Sequence, residues 1–131
     1  MTKELVYLAC PYSHLYDDCC RRFDIVNRLA ATLMRAGVLI FSPISHGHPI
    51  AEYGLPKGWD FWERYDRVYI EAAKAMLVCA IDGWETSVGV GAEMRIAQEL
   101  GIPIGLIYRP FDEEHVVLVA KRAGLIGVSA P

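Results

Sequence analysis

The run Asp82-Gly83-Trp84-Glu85-Thr86-Ser87-Val88-Gly89-Val90-Gly91-Ala92-Glu93 leaves a short apolar stretch and enters a segment of helical spacing. Gly89 and Gly91 carry no side chain, so the backbone there can approach a ligand closely. A helix beginning at this point offers unpaired N–H groups and a positive dipole end, which suit a phosphate and an ionised carboxylate. Glu93 is therefore expected to be an anion. A carboxylate held beneath a carbon that develops positive charge can stabilise that charge or bond to it, as in cleavage of a C–N glycosidic bond through an oxocarbenium-like state. The plainer alternative is that Glu93 stabilises the first turn of a solvated helix. Ser87 supplies a hydroxyl in the same stretch, and Trp84 supplies a flat face on which a base can stack.

Other residue types offer supporting chemistry. A departing base leaves more easily when a ring nitrogen is protonated or hydrogen-bonded, and Asp66 is the candidate donor, with a helix-surface charge among Glu63, Arg64 and Arg67 as its alternative. Tyr7 can orient Glu93 through a hydrogen bond. Pro11 and Ser13 lie just after an apolar run, and Ser42 just after another; each serine either binds phosphate or caps the next helix. In Ser45-His46-Gly47-His48 two histidines suggest a metal pair, but no spaced Cys or carboxylate completes a set, so no metal is assigned. That stretch is read instead as a loop over the ligand, with His46 touching base or sugar. Trp59 and Trp62 offer the same flat faces for stacking, but at helical spacing they are read first as core residues, which leaves Trp84 as the favoured stacker.

These residues need a scaffold. Leu5 to Cys10 reads as a buried strand closed by Pro11, and Asp17 to Ala36 as an amphipathic helix through Phe23, Val26, Leu29, Ala30, Leu33 and Met34, stopped by Gly37. Val38 to Phe41 is a second strand. Ile44 to Gly58, rich in Gly, Pro and His, is expected to be loop. Trp59 to Ala73 is helical, with Trp62, Val68 or Tyr69, and Ala72 toward the core. Met76 to Ile81 is a strand, Gly89 to Leu100 a helix, Ile102 to Tyr108 a strand and Glu113 to Ala123 a last helix. This alternation predicts one α/β domain over 1–131, a doubly wound parallel sheet of flavodoxin-like or Rossmann-like kind built as a three-layer sandwich. Ligands in such sheets lie beyond the carboxyl ends of the strands, where the segments Pro11 to Tyr16, Ser42 to Pro56 and Asp82 to Val88 converge.

Composition narrows the class. The chain has 131 residues, 53% of them hydrophobic, enough for a single core. A net charge of −3 argues against a nucleic-acid polymer as partner, since that footprint needs clustered Lys and Arg. The apolar runs Val6 to Ala9 and Ala75 to Ile81 are too short to cross a bilayer, and no signal segment opens the chain, so a cytoplasmic protein without a membrane partner is expected. Cys10, Cys19, Cys20 and Cys79 fit free thiols in a reducing compartment, with Cys10 and Cys79 as small core residues.

Taken together, Ser87-Val88-Gly89-Val90-Gly91-Ala92-Glu93, Tyr7 within Val6-Tyr7-Leu8-Ala9-Cys10-Pro11-Tyr12-Ser13, and Asp66 shortly before the strand at Met76 resemble the nucleoside 2-deoxyribosyltransferase superfamily over about residues 4 to 108. Within it the chain looks closest to a bacterial and phage branch carrying Tyr-Leu-Ala-Cys-Pro-Tyr-Ser, Ser-Pro-Ile-Ser-His and Asp-Gly-Trp. The resemblance implies an N-glycosidase or pentosyltransferase with Glu93 as nucleophile, Asp66 on the base, no cofactor, a nucleoside or nucleotide substrate, and a pocket completed in a homodimer or larger assembly. Two departures bear on the substrate. Deoxyribosyltransferases place Asp where this chain has Ser87, whereas the related nucleoside 5′-monophosphate N-glycosidases place a phosphate-contacting Ser there. The first loop also lacks a Gly-rich turn. These tilt the expectation toward a nucleotide hydrolase, with base exchange and a non-catalytic nucleotide-binding or sensing module as alternatives. A flavodoxin-like electron carrier is a weaker alternative, because the first loop lacks the Ser, Thr and Gly expected around a flavin phosphate.

Overall fold

The computed structural model describes residues 2–12 and 16–126. Its elements run β1 (Leu5–Ala9), α1 (Tyr16–Arg35), β2 (Ile40–Phe41), α2 (Pro43–Ala51), α3 (Trp59–Glu71), β3 (Ala73–Cys79), a 3₁₀ turn (Trp84–Thr86), α4 (Val88–Glu99), β4 (Ile104–Ile107) and α5 (Glu113–Arg122). The four strands form one parallel sheet in the order β2-β1-β3-β4. Helices cover both faces, giving the flavodoxin-like three-layer α/β sandwich that the alternating pattern predicts.

Strand alternation assigns side chains to faces. Val6, Leu8 and Cys10 of the first strand and its exit pack with Leu77, Cys79 and Ile107 beneath α1 and α5, whose contributions include Val26, Leu29, Leu33, Val116 and Ala120. Tyr7 and Ala9 point to the opposite face with Met76 and Val78, against Ile70 of α3 and Val90, Ile96 and Ala97 of α4. Every one of these residues is buried. Because side chains alternate with period 2 along a strand, Tyr7 is committed to the face that α3 and α4 cover.

The structure corrects several boundaries and one element. Pro43 to Ala51 is helix α2 and not loop, because Ser42 caps it by accepting from the Ser45 amide and Pro43 fills a first-turn position that needs no N–H. Pro49, late in the helix, removes one donor. Gly47 has a packing reason: a Cβ there would lie 3.3 Å from the Trp62 ring. β3 starts earlier than expected, since a shift in pairing between Leu5 and Val6 leaves exposed Lys74 out of register within the apolar run. On α3 the buried positions are Asp66 and Ile70, while Val68 is 62% exposed and Ala72 also faces outward. On α1 the core stripe is Arg22, Val26, Leu29 and Leu33, with Met34 on the surface. A charged residue, Arg22 on α1 and Asp66 on α3, thus shares the buried stripe of each of these helices.

The cap at α2 is testable on its own. Ser42→Ala removes the acceptor for the Ser45 amide and is expected to lower unfolding stability by about 1 kcal/mol, measured by urea denaturation. A change within a few tenths would mean that α2 is held by packing alone.

Candidate active site

The chain runs from β1 outward to β2 on one side and returns to β3 on the other, so the loops after β1 and β3 diverge and leave a crevice at the carboxyl ends of the strands. A cavity of about 490 Å³ occupies it, a volume suited to a small organic ligand. Cys10 and Tyr12 come to its wall from the β1 exit, Gly83 and Thr86 to Gly89 from the β3 exit, Trp59, Trp62 and Asp66 from α3, His48 from α2, Arg22 from α1 and Glu93 from α4.

Glu93 lies on the buried face of α4 with Val90, Ile96 and Ala97. The Tyr7 hydroxyl donates to Glu93 Oε2. Asp66, four residues before Ile70 on the buried face of α3, joins them. The convergence follows from geometry: period 2 in β1 sends Tyr7 to the α3/α4 face, and helical period places Asp66 and Glu93 on the sides of their helices that meet it. Tyr7, Asp66 and Glu93 are thus brought together as the sequence predicted.

Their electrostatics differ from the expectation of an ionised Glu93. Its carboxyl is pushed up to about 8, first by burial and then by the nearby Asp66, against the opposing hydrogen bond from Tyr7. The dipole of α4 does not rescue the anion because Glu93 stands six positions past the cap Ser87, beyond the first turn where that field acts. Asp66 is pushed up to about 7 by burial, again with Tyr7 opposing. The Tyr7 phenol is raised by burial and by both carboxyls, so it remains a donor. Two interacting carboxyls of this kind titrate as a pair, and between about pH 7 and 8 the pair holds close to one proton.

The other expected site residues divide. Ser87 and Gly89 line the cavity; Ser87 Oγ also caps α4 by accepting from the Val90 amide. Gly91 sits further into α4 and Pro11 is buried, and neither reaches the cavity wall. Ser42 is buried as the α2 cap and is likewise off the wall. Ser13 lies outside the described residues. His46 is exposed beside Phe41 and Tyr69, because helix α2 turns the neighbouring His48 inward instead. Trp84 packs against the α3/α4 core and edge-on to Tyr108, away from the cavity. The flat faces are those of Trp59 and Trp62. Trp62 is fixed by donating from Nε1 to the Pro56 carbonyl at 2.7 Å, and Trp59 lies against Gly89.

Three wall residues escaped the sequence reading. His48 stacks on Phe23 with ring centroids 4.2 Å apart, bonds the Tyr12 hydroxyl through Nδ1, and sets Nε2 3.6 Å from Glu52 Oε1. Burial lowers its pKa despite Glu52, so it stays neutral at pH 7. Tyr12 is the second. Arg22 is the third; its signal was present, since it falls four residues before Val26 on the apolar stripe of α1. Cys10 also reaches the wall, but hydrogen bonding with Cys79 and burial raise its thiol, which disfavours the thiolate a nucleophile needs. Among the described residues no group of three or more His, Cys, Asp or Glu is placed to hold a metal ion, and no helix is long and apolar enough to cross a membrane.

The raised carboxyls make a stability prediction. In the folded chain both bind protons more tightly than at their ordinary values of 3.8 and 4.5. Their contribution is complete below those values and is lost as pH rises through about 7 and about 8. Thermal unfolding of the ligand-free protein is expected to show stability falling between pH 5 and 8.5, on the order of a few kcal/mol. Asp66→Asn or Glu93→Gln is expected to flatten that slope, and an unchanged slope in both variants would refute the coupling.

Comparison with known proteins bears on ancestry and not on activity. A search of curated proteins finds no match. Residues 4–109 match the family described as Domain of unknown function (DUF1937), a span that takes in β1 through β4 and with them Tyr7, Arg22, Asp66, Ser87 and Glu93. The chain belongs to that family.

Proposed function

We propose that this protein cleaves the N-glycosidic bond of a nucleoside or nucleoside 5′-monophosphate by a retaining mechanism, with Glu93 as nucleophile. The observation that carries the reading is the buried Tyr7–Glu93–Asp66 cluster, whose two carboxyls line a cavity at the carboxyl ends of β1 and β3 while the wholly buried Tyr7 stands off its wall. The resemblance to the nucleoside 2-deoxyribosyltransferase superfamily supports it, since the residues that carry the resemblance are those that meet there.

The competent form is the singly protonated pair with Glu93 ionised and the proton on Asp66, the less populated of its two arrangements, since Glu93 is pushed up to about 8 and Asp66 to about 7. Glu93 attacks the anomeric carbon as the C–N bond breaks; the bonding pair passes to the base nitrogen, which takes the proton from Asp66. A glycosyl ester on Glu93 results. Water then adds at the anomeric carbon, Asp66 accepts its proton, and Glu93 departs as carboxylate. Tyr7 stabilises the Glu93 anion in both half-reactions through the hydrogen bond it donates. Trp59 and Trp62 offer the flat surfaces on which the base lies. If a second base enters in place of water, the same residues carry out base exchange. The proposal includes an assembly of at least two copies in the cytoplasm, as in the enzymes the sequence resembles, and a strictly monomeric active protein would contradict that part.

The test is chromatographic detection of free base from a panel of ribo- and deoxynucleosides and their 5′-monophosphates, with and without a second base. The parent is expected to release base, and Glu93→Ala to lose about 10³-fold or more in rate, as when other covalent nucleophiles are removed. Base exchange without hydrolysis would make the protein a transferase. Binding without turnover by either protein would leave the nucleotide-binding module. For an active substrate, kcat/KM is expected to peak between the pair's titrations at about 7 and about 8. Because the Tyr7 hydrogen bond lowers both carboxyls of the pair, Tyr7→Phe is expected to move the acid and the basic limb to higher pH. Unmoved limbs would show that Tyr7 does not tune the pair.

A further inference from the structure

Tyr12, His48 and Glu52 form a chain of polar groups that the glycosidase mechanism leaves without a task. The His48 ring is buried and stacked on Phe23, with Nδ1 bonded to the Tyr12 hydroxyl and Nε2 3.6 Å from Glu52 Oε1. That oxygen also lies 4.0 Å from Lys57 Nζ. Burial keeps the imidazole neutral, so it carries a single N–H. A carboxylate oxygen only accepts, which puts that hydrogen on Nε2, the nitrogen that faces Glu52. Nδ1 is then bare, and the hydrogen of the Tyr12–His48 bond comes from the phenol. Burial also holds the Tyr12 phenol well above its ordinary pKa, so the hydrogen stays on its oxygen.

Tyr12 thus has a fixed polarity. It lines the cavity, and its one hydrogen is committed to His48, so it offers a ligand lone pairs only. An acceptor of this kind pairs with an N–H or O–H of the ligand and opposes a carbonyl. Its place on the wall decides which part of the ligand it meets. Gly47, the neighbour of His48, is so close to Trp62 that a Cβ there would lie 3.3 Å from Cη2 and Cζ3 of the indole. The turn of α2 that carries His48 therefore runs along the six-membered edge of Trp62. Asp66 lines the same cavity from α3, four residues after Trp62 and so on the same side of that helix. A base lying on Trp62 with a ring nitrogen at Asp66 turns its outer rim toward α2, where His48 and Tyr12 stand.

We propose that Tyr12 is a specificity-determining acceptor for an exocyclic amino group of the base, with His48 and Glu52 as the positioning residues that hold its polarity. The inference rests on the nucleoside reading of the cavity and adds the class of base to it: adenine or cytosine over their oxo counterparts, hypoxanthine and uracil. An amino group gives Tyr12 a hydrogen to accept. An oxo group sets two acceptors against each other with the water between them removed.

The test measures binding, which needs no turnover. Adenosine against inosine, and cytidine against uridine, are titrated by calorimetry as nucleosides and as 5′-monophosphates, in ribo and deoxy forms, into Glu93→Ala with and without Tyr12→Phe. The amino member of at least one pair is expected to bind about tenfold or more tightly, and Tyr12→Phe to bring the two members within about twofold of each other. Equal binding, tighter binding of the oxo members, or no binding of any member overturns the proposal, as does an amino preference that survives Tyr12→Phe. A preference for ribo over deoxy forms that Tyr12→Phe removes, with no amino preference beside it, would give the acceptor to a sugar hydroxyl and overturn the assignment to the base. Nitrogen NMR of the parent with isotopically labelled histidine needs no variant to fold: His48 is expected to carry its hydrogen on Nε2, and hydrogen on Nδ1 overturns the fixed polarity. Amino-selective binding in a protein that releases no base keeps the acceptor and discards the glycosidase. Base release without amino preference keeps the glycosidase and discards the acceptor.

Discussion

Two carboxyl groups and a phenol are buried against one face of a parallel sheet with a single phenolic hydrogen to stabilise them, and the organisation of the site follows from that constraint. Tyr7 gives its hydrogen to Glu93, while burial drives both Glu93 and Asp66 toward their protonated forms. Ionising the two together would place like charges side by side away from water, so the pair retains a proton over the range in which isolated carboxyls would have lost theirs. A cation placed beside them would remove this difficulty and the chemistry with it, since a neutralised pair would settle as two anions at neutral pH. Arg22, a buried cation of the cavity, instead donates from Nη2 to the Asp82 carbonyl.

The fold maintains this separation of charge. The α1 helix packs on the Val6/Leu8 face of the sheet and α3 and α4 on the Tyr7/Ala9 face, so an arginine on the first and carboxyls on the others approach the crevice from opposite layers. They meet only where the sheet ends. The cavity therefore has an acidic, proton-holding side and a cationic side, with the indole faces of Trp59 and Trp62 along its wall. A ligand with one anionic end, an apolar planar portion and a centre of developing positive charge is complementary to that distribution.

Much of the architecture was legible because it is carried by local pattern. The strands and long helices follow from apolar runs and 3.6-residue spacing, and Tyr7, Asp66 and Glu93 were identified through the order of their motifs. What failed did so for tertiary reasons. Helix α2 contains Gly47 and Pro49, which locally argue for loop, but the Ser42 cap and the fit of Gly47 under Trp62 outweigh them. The same helix decides that His48 faces inward and His46 outward, a choice invisible while the segment is read as loop. Trp84 was favoured as a stacker because its loop leads to the site, yet the 3₁₀ turn at Trp84–Thr86 lays it on the α3/α4 core, and Trp59 and Trp62, taken for core, line the cavity.

One signal could have located more of the site. Arg22 lies in step with Val26, Leu29 and Leu33, Asp66 with Ile70, and Glu93 with Val90 and Ile96; each is a charged residue on the apolar stripe of its helix, and each is buried. A charge on such a stripe should destabilise packing unless it is paired, and helix-surface pairing explains none of these three. Where several helices of one α/β domain each carry such a charge, and the charges converge at the carboxyl ends of the strands, the burial cost is shared by a cavity that a polar ligand can complete. The stripe violations are therefore more informative than the exposed polar loops that first draw attention, because a solvated loop residue costs nothing to keep and a buried charge does.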